Sequence, residues 1–277
     1  MINTQTKLCL IIGDPVNHSL SPVMHNTAYK KLGIDDQFVF LAQKIKPVNL
    51  KSAVQAVKVL NIRGLTCTIP HKTAVIPFLD QLDPLAQKIG AVNTVVNNNG
   101  KLTGYNTDCF GAITALEKAI NLKHKKVAVL GAGGASRAVV FGLISKNAQV
   151  TIFNRTLKKA KTLSELAGCQ HQSLKNLPLI KDMDIIINTT SVGMSSDNHH
   201  SLVPKNLIQP HHLVFDIVYS PCQTQLLKDA LVKKAKIING LDMLLYQGIA
   251  QFELYTNRKA PVKTMRQALI KHLKIKV

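Results

Sequence analysis

The chain has 277 residues, 46% of them hydrophobic and 18% charged, with a formal net charge of +20. That length accommodates two ordinary domains, and the composition excludes a disordered or low-complexity chain. No apolar run approaches the ~20 residues of a membrane span, and Leu8 to Ile12 is too short for a signal-peptide core, so a cytoplasmic protein without a membrane partner is expected.

The first part alternates strands and helices. Lys7 to Ile12 reads as a strand, Pro22 to Leu32 as a helix and Phe38 to Leu41 as a strand. Leu50 to Leu60 is a helix with apolar positions at Val54, Val57 and Leu60, and Gly64 to Ile69 is a strand. Thr94 to Asn97 and Lys101 to Thr103 flank Asn98-Asn99-Gly100, a hairpin signal. The result is a mostly parallel sheet with one antiparallel member. Asp108 to Ile120 is a helix whose apolar stripe is Phe110, Ile113, Leu116 and Ile120, bridging into a second domain. There the strands are Val127 to Leu130, Gln149 to Phe153, Asp184 to Asn188, Leu213 to Ile217 and Lys236 to Ile238, with a lysine-rich helix from Leu157 to Leu166. Leu241 to Val277 is helical without a strand of its own, so it is expected to pack back on the first domain.

The organising stretch is Lys126 to Val139. A four-residue apolar run, Val127 to Leu130, suits a buried parallel strand; Gly131-Ala132-Gly133 follows, then an apolar segment able to continue as a helix. Strand, glycine turn and helix form the context in which a dinucleotide pyrophosphate is bound. Gly131 permits the turn, Gly133 removes a side chain where backbone must approach phosphate, and the helix N-terminus offers unpaired N–H groups. Ser136 stands where a third glycine is usual and is small enough for close packing. The next strand ends Asn154-Arg155-Thr156, with Lys158 and Lys159 beyond. No acid is present to take a ribose 2′-hydroxyl or repel a 2′-phosphate, and Arg155 can grip phosphate or stack on adenine, so NADP is the expected cofactor.

Three segments follow strands or open helices at the edge where such folds bind ligands. In Asn17-His18-Ser19-Leu20-Ser21-Pro22, the two serine hydroxyls of an extended segment point the same way, as a carboxylate requires; Ser21 also suits a helix N-cap before Pro22. Lys72 lies just past Pro70, and Asp108 opens a helix, where capping would explain it. Asn93 precedes a strand and, by itself, reads as a turn residue.

Five cysteines without a C-x-x-C spacing indicate free thiols in a reducing compartment. The pairs His199-His200 and His211-His212 lack ligand spacing, so no metal is expected. The lysines are spread along the chain and aromatics, 5% of residues, do not interleave with them, so the charge reads as a solvated surface and no nucleic-acid partner is expected.

Taken together, Ser19-Leu20-Ser21-Pro22, Thr68-Ile69-Pro70-His71-Lys72, Gly90-Ala91-Val92-Asn93-Thr94, Asn106-Thr107-Asp108, Gly131-Ala132-Gly133-Gly134-Ala135-Ser136-Arg137, Asn154-Arg155-Thr156 and Gln247-Gly248 occur in the order and spacing of shikimate dehydrogenases. The chain resembles that family over essentially its whole length. The resemblance implies an α/β protein: an open, mostly parallel substrate domain (1–108 and 242–277) and a Rossmann-type NADP domain (109–241). It implies reduction of 3-dehydroshikimate to shikimate with NADPH in chorismate and aromatic amino-acid biosynthesis, by a monomer or homodimer. By resemblance Lys72 and Asp108 are the catalytic pair. Ser19 and Ser21 hold the substrate carboxylate, with Tyr219 near it. Thr68, Asn93, Asp108 and Gln247 bind ring hydroxyls. NADP falls to Gly131, Ala132, Gly133, Gly134, Ala135, Asn154, Arg155, Thr156 and Lys159, and its nicotinamide side to the Asn188-Thr189-Thr190-Ser191 segment, Ile217, Gly240 and Met243. Two departures stand out: Thr66 replaces the usual Asn, altering one polar contact of the pocket wall, and Cys109 replaces the usual Gly. The rival readings are a quinate/shikimate dehydrogenase accepting NAD and, from another class, a non-catalytic dinucleotide sensor that binds nucleic acid.

Overall fold

The computed structural model describes residues 2–194 and 200–273; His199 of the first histidine pair lies outside them. In chain order come β1 (Lys7–Gly13), α1 (Ser21–Lys31), β2 (Phe38–Lys44), α2 (Leu50–Val59), β3 (Gly64–Cys67), α3 (His71–Ala74), β4 (Gln81–Leu82), α4 (Pro84–Ile89), β5 (Thr94–Asn98) and β6 (Lys101–Tyr105). Then follow α5 (Thr107–Glu117), β7 (Lys126–Leu130), α6 (Gly134–Ser145), β8 (Gln149–Asn154), α7 (Leu157–Ala167), β9 (Gln170–Ser173), β10 (Ile185–Asn188), β11 (Leu213–Asp216), α8 (Gln225–Val232), β12 (Lys236–Ile238), α9 (Gly240–Thr256) and α10 (Val262–His272). The chain divides into two compact units, Met1–Thr107 with Gln247–Val277, and Asp108–Tyr246. The breaks therefore fall inside α5 and α9, at 107/108 and 246/247, against 108/109 and 241/242 in the sequence reading.

The first unit carries a sheet in the order β2-β1-β3-β5-β6-β4. β1 runs parallel to β2 and β3, while β5 is antiparallel to both β3 and β6. Asn99 and Gly100 both have positive φ (53° and 86°), as a tight two-residue hairpin turn requires. Leu50, Val54 and Val57 put one face of α2 on a core with Ile12, Leu65 and Cys67. Leu60 does not join them: α2 ends at Val59 and Leu60 is exposed. Gly248 on α9 faces α1, where a Cβ would come within 2.0 Å of Met24 Cε, and α10 also packs on α1. From Gln247 onward the C-terminal helices thus belong with the first sheet.

In the second unit all strands are parallel, in the order β12-β11-β10-β7-β8-β9. β7 and β10 are fully covered on both faces from Val127 to Leu130 and from Ile185 to Ile187, hence their unbroken apolar runs. The strand order reverses between these two, which makes their carboxyl ends the expected ligand crevice. The expected stripe on α5 needs two corrections: Ile113 and Leu116 are buried, but Phe110 is 50% exposed, and the helix ends at Glu117, which leaves Ile120 outside it. Among the described residues, no helix is long and apolar enough to cross a membrane, and no cluster of His, Cys, Asp and Glu could hold a metal.

The core of the first unit contains an ionisable group without a hydrogen bond. His25 is fully buried, stacked on Phe40 at 4.4 Å, and neither ring nitrogen has a hydrogen-bond partner. Burial drives its pKa down to about 3, only partly opposed by Gln251. The unfolded chain therefore binds a proton that the folded chain refuses as pH falls from 6.5 towards 3. The stability conferred by the neutral ring is complete above that window and lost within it. Between pH 7 and 5 the unfolding free energy should fall by roughly 2 kcal/mol more in the parent than in His25→Leu, measured by urea denaturation. Equal pH slopes in the two proteins would refute the assignment.

Candidate active site

The dinucleotide turn is built as its residues require. Gly131 leaves β7 with φ +113°, a conformation that side chains resist, and a Cβ there would lie 2.8 Å from Thr189 Oγ1 and 3.0 Å from Ser136 Oγ. Ser136 does more than fit: its Oγ accepts from the Gly133 N–H at 3.0 Å and meets Thr189 Oγ1 at 2.6 Å. Thr189 in turn donates to the Leu130 carbonyl, closing the ends of β7 and β10 together. Beside Gly133 a Cβ would meet nothing within 4 Å, so the turn has an open edge at the start of α6, the place where a pyrophosphate sits on backbone N–H groups. These residues fit a dinucleotide. Ala132, Gly134 and Ala135 are partly exposed along the same turn. Gly131→Ala should destabilise the protein by about 1–3 kcal/mol through the strained φ alone; an unchanged denaturation midpoint would contradict this.

Asn154, Arg155, Thr156 and Lys159 follow one another at the carboxyl end of β8, with Arg155, Thr156 and Lys159 exposed. Asn154 closes this turn by donating from Nδ2 to the Thr156 carbonyl at 2.9 Å. A second polar centre joins the ends of β10 and β11. Asp216, fully buried, accepts from Asn188 Nδ2 (2.9 Å), the Val218 N–H (3.1 Å) and Thr224 Oγ1 (2.6 Å). Burial pushes its carboxyl up to about 6, against the pull of those donors. Asn188 also binds Thr190 and the Val192 carbonyl, so this one pair ties down both the loop carrying Thr189 and Ser191 and the loop carrying Ile217 and Tyr219. Asp216 carries no signal in the sequence that points to this role. Gly240 lies against that second loop: a Cβ on it would be 2.2 Å from the Ile217 carbonyl. Met243, on the first turn of α9, is buried and Tyr219 is half-buried.

In the first unit, Ser21 is not a helix cap. Leu20 holds that position, and Ser21 is the buried first residue of α1, its N–H donating to Ser19 Oγ at 3.3 Å. The two serines are therefore joined across a helix start and do not form one extended segment. Thr68 packs on Gly13, where a Cβ would be 2.4 Å from its Cγ2, and its carbonyl accepts from the His71 N–H. Lys72 follows in α3, half-buried, its carbonyl accepting from the Val92 N–H at 2.7 Å. That bond ties the lysine's turn to the segment leading into Asn93.

Asn93 is no mere turn residue. It is 2% exposed, its Oδ1 accepts from the Thr107 N–H at 2.7 Å and from Thr94 Oγ1 at 2.9 Å, and its Nδ2 donates to Thr107 Oγ1 at 2.9 Å and to Gln247 Oε1 at 3.5 Å. The structure thus brings Asn93 and Gln247 together across 154 positions of chain. Asp108, buried in the first turn of α5, begins the second unit, whereas Lys72 belongs to the first. Thr66, which stands where Asn is usual, bonds Tyr255 OH at 2.9 Å inside the core.

This arrangement has known counterparts. The pattern of the shikimate dehydrogenase substrate-binding domain matches residues 11–95, that of shikimate/quinate 5-dehydrogenase residues 114–219, and that of the shikimate 5′-dehydrogenase C-terminal domain residues 240–270. Shikimate dehydrogenase (NADP(+)) of Pyrococcus furiosus is 46% identical, over 99% of each chain. The chain belongs to the shikimate dehydrogenase family. Among solved members of that family, a shikimate dehydrogenase in complex with NADP+ superposes with a TM-score of 0.93 at 40% identity, covering 99% of this chain and 98% of that one. The Thermus thermophilus shikimate 5-dehydrogenase in complex with NADP(H) and shikimate gives 0.85 at 36% identity, over 96% and 99% of the two chains.

Proposed function

We propose that this chain catalyses the reversible, NADPH-dependent reduction of 3-dehydroshikimate to shikimate, as a cytoplasmic monomer or homodimer acting on a small molecule. The full-length likeness to NADP-dependent relatives carries the reading. The open glycine turn at the β7–β10 crevice and the acid-free end of β8 support it.

Bound at that turn, NADPH would supply the hydride for the ring ketone. The residues that would hold it are Gly131 to Ala135 for the pyrophosphate, Arg155 with Asn154, Thr156 and Lys159 for the 2′-phosphate, and Thr189, Ser191, Ile217, Gly240 and Met243 for the nicotinamide side. The protein's own task is to manage charge and protons. Negative charge develops on the ketone oxygen, and the Lys72 ammonium donates a proton to it. Asp108 orients that ammonium and accepts from the neighbouring ring hydroxyl. Ser19 and Ser21 offer hydroxyls to the substrate carboxylate, with Tyr219 beside it, while Thr68, Asn93 and Gln247 read the remaining hydroxyls. The test is oxidation of shikimate by NADP+ followed at the NADPH absorbance band. Turnover is expected; a folded protein that shows none overturns the proposal.

A further inference from the structure

Helix α9 lays three polar side chains, Gln247, Gln251 and Tyr255, on the first sheet. They are spaced four apart and so share a helix face. The sheet answers with Asn93, Thr94 and Thr66, the last two directly paired between β3 and β5. All six side chains are buried, none more than 6% exposed. Asn93 and Gln247 are ring-hydroxyl ligands in the function proposed above, on which this inference rests. Thr94 and Gln251 sit behind them and have no such role.

We propose that Gln251 and Thr94 are positioning residues for substrate recognition, a directed hydrogen-bond relay that fixes which way round the Asn93 and Gln247 amides face. The direction follows from donor chemistry. A carboxamide nitrogen donates and does not accept, so Gln251 Nε2, 3.0 Å from Thr94 Oγ1, makes that oxygen an acceptor. The hydroxyl's single proton is left for Asn93 Oδ1 at 2.9 Å, which also takes the Thr107 N–H at 2.7 Å; the Thr107 hydroxyl, 3.2 Å from that Oδ1 and 3.1 Å from Thr94 Oγ1, brings a proton of its own. With Oδ1 engaged by these donors, Asn93 turns its Nδ2 towards Thr107 Oγ1 and Gln247 Oε1. Gln247 thereby presents its Oε1 to Asn93 Nδ2 at 3.5 Å. A site built around set donors and acceptors discriminates between hydroxyl patterns because a mismatch leaves a buried group unpaired.

Thr94→Val removes the hydroxyl at nearly constant shape, Thr94→Ser keeps it, and Gln251→Leu removes the upstream donor. For the full chain and each variant, KM and calorimetric Kd for shikimate are compared with NADPH Kd, read from NADPH fluorescence in this tryptophan-free protein. Thr94→Val should weaken shikimate binding about tenfold, Gln251→Leu about threefold and Thr94→Ser less than about twofold, with NADPH affinity unchanged in all. Should Thr94→Val fail to fold, Gln251→Leu against the parent decides. Unchanged shikimate affinity, equal losses for shikimate and NADPH, or a Ser variant as weak as the Val variant would overturn the relay. A parent chain that binds NADPH but neither binds nor oxidises shikimate would overturn the proposed function, and the relay's role with it.

Discussion

Lys72→Ala is expected to lower kcat for shikimate oxidation by about 10²–10⁴-fold, while NADPH affinity stays within about twofold of the parent. The magnitude is that of losing a positioned group that gives the oxygen its proton in reduction and takes it back in oxidation. The selectivity follows from where the lysine sits. Its backbone is pinned by the Val92 N–H, and its neighbour His71 is anchored through Nε2 to the Ile45 carbonyl at 2.8 Å. Truncating a half-buried side chain beyond that anchor leaves the turn intact, and the glycine turn at the end of β7 belongs to the other unit. Stopped-flow or steady-state kinetics beside a fluorescence titration would check it. A loss under about tenfold would remove Lys72 from the chemistry. A parallel loss of NADPH binding would make its role structural.

Arg155→Asp is expected to reverse the cofactor preference. A guanidinium–phosphate contact contributes roughly 1.5–3 kcal/mol, so its loss alone weakens NADPH binding about 10–100-fold, and the new carboxylate adds repulsion of the 2′-phosphate. The same carboxylate, at the end of β8, is placed to accept the ribose 2′-hydroxyl of NADH. The turn itself should persist, because Asn154 closes it through the Thr156 carbonyl without Arg155. The measurement is the ratio of kcat/KM for NADP+ to that for NAD+. An unchanged ratio would mean that Arg155 is solvated and that discrimination lies elsewhere.

What the sequence showed, and what it hid, has a physical pattern. The β7–Gly131–α6 unit was legible because burial on both faces writes an unbroken apolar run and because phosphate approach demands glycine. The antiparallel β5 announced itself through Asn99-Gly100, which supply the two positive φ angles of its hairpin. β9 was missed for the opposite reason: Gln170 to Ser173 is a polar edge strand, with no alternation to read. Helical spacing predicts Phe110 in the core, yet that position of α5 is exposed. The candidate site residues are visible only as a set of motifs in family order; one at a time, Lys72, Asn93 and Asp108 have ordinary explanations. The buried polar partners behind the candidate site are not visible at all. Thr94 and Gln251 meet across 157 positions, and Asp216 gains its role only when β10 and β11 pair. Spacing on α9 was the one available hint, since Gln247 and Gln251 share a helical face.

The account rests on a nicotinamide enzyme that prefers a 2′-phosphate and a shikimate-type ring. The most direct measurement crosses shikimate and quinate with NADP+ and NAD+ in a single absorbance assay. The account predicts the highest kcat/KM for shikimate with NADP+; a higher value for quinate with NAD+ would contradict it.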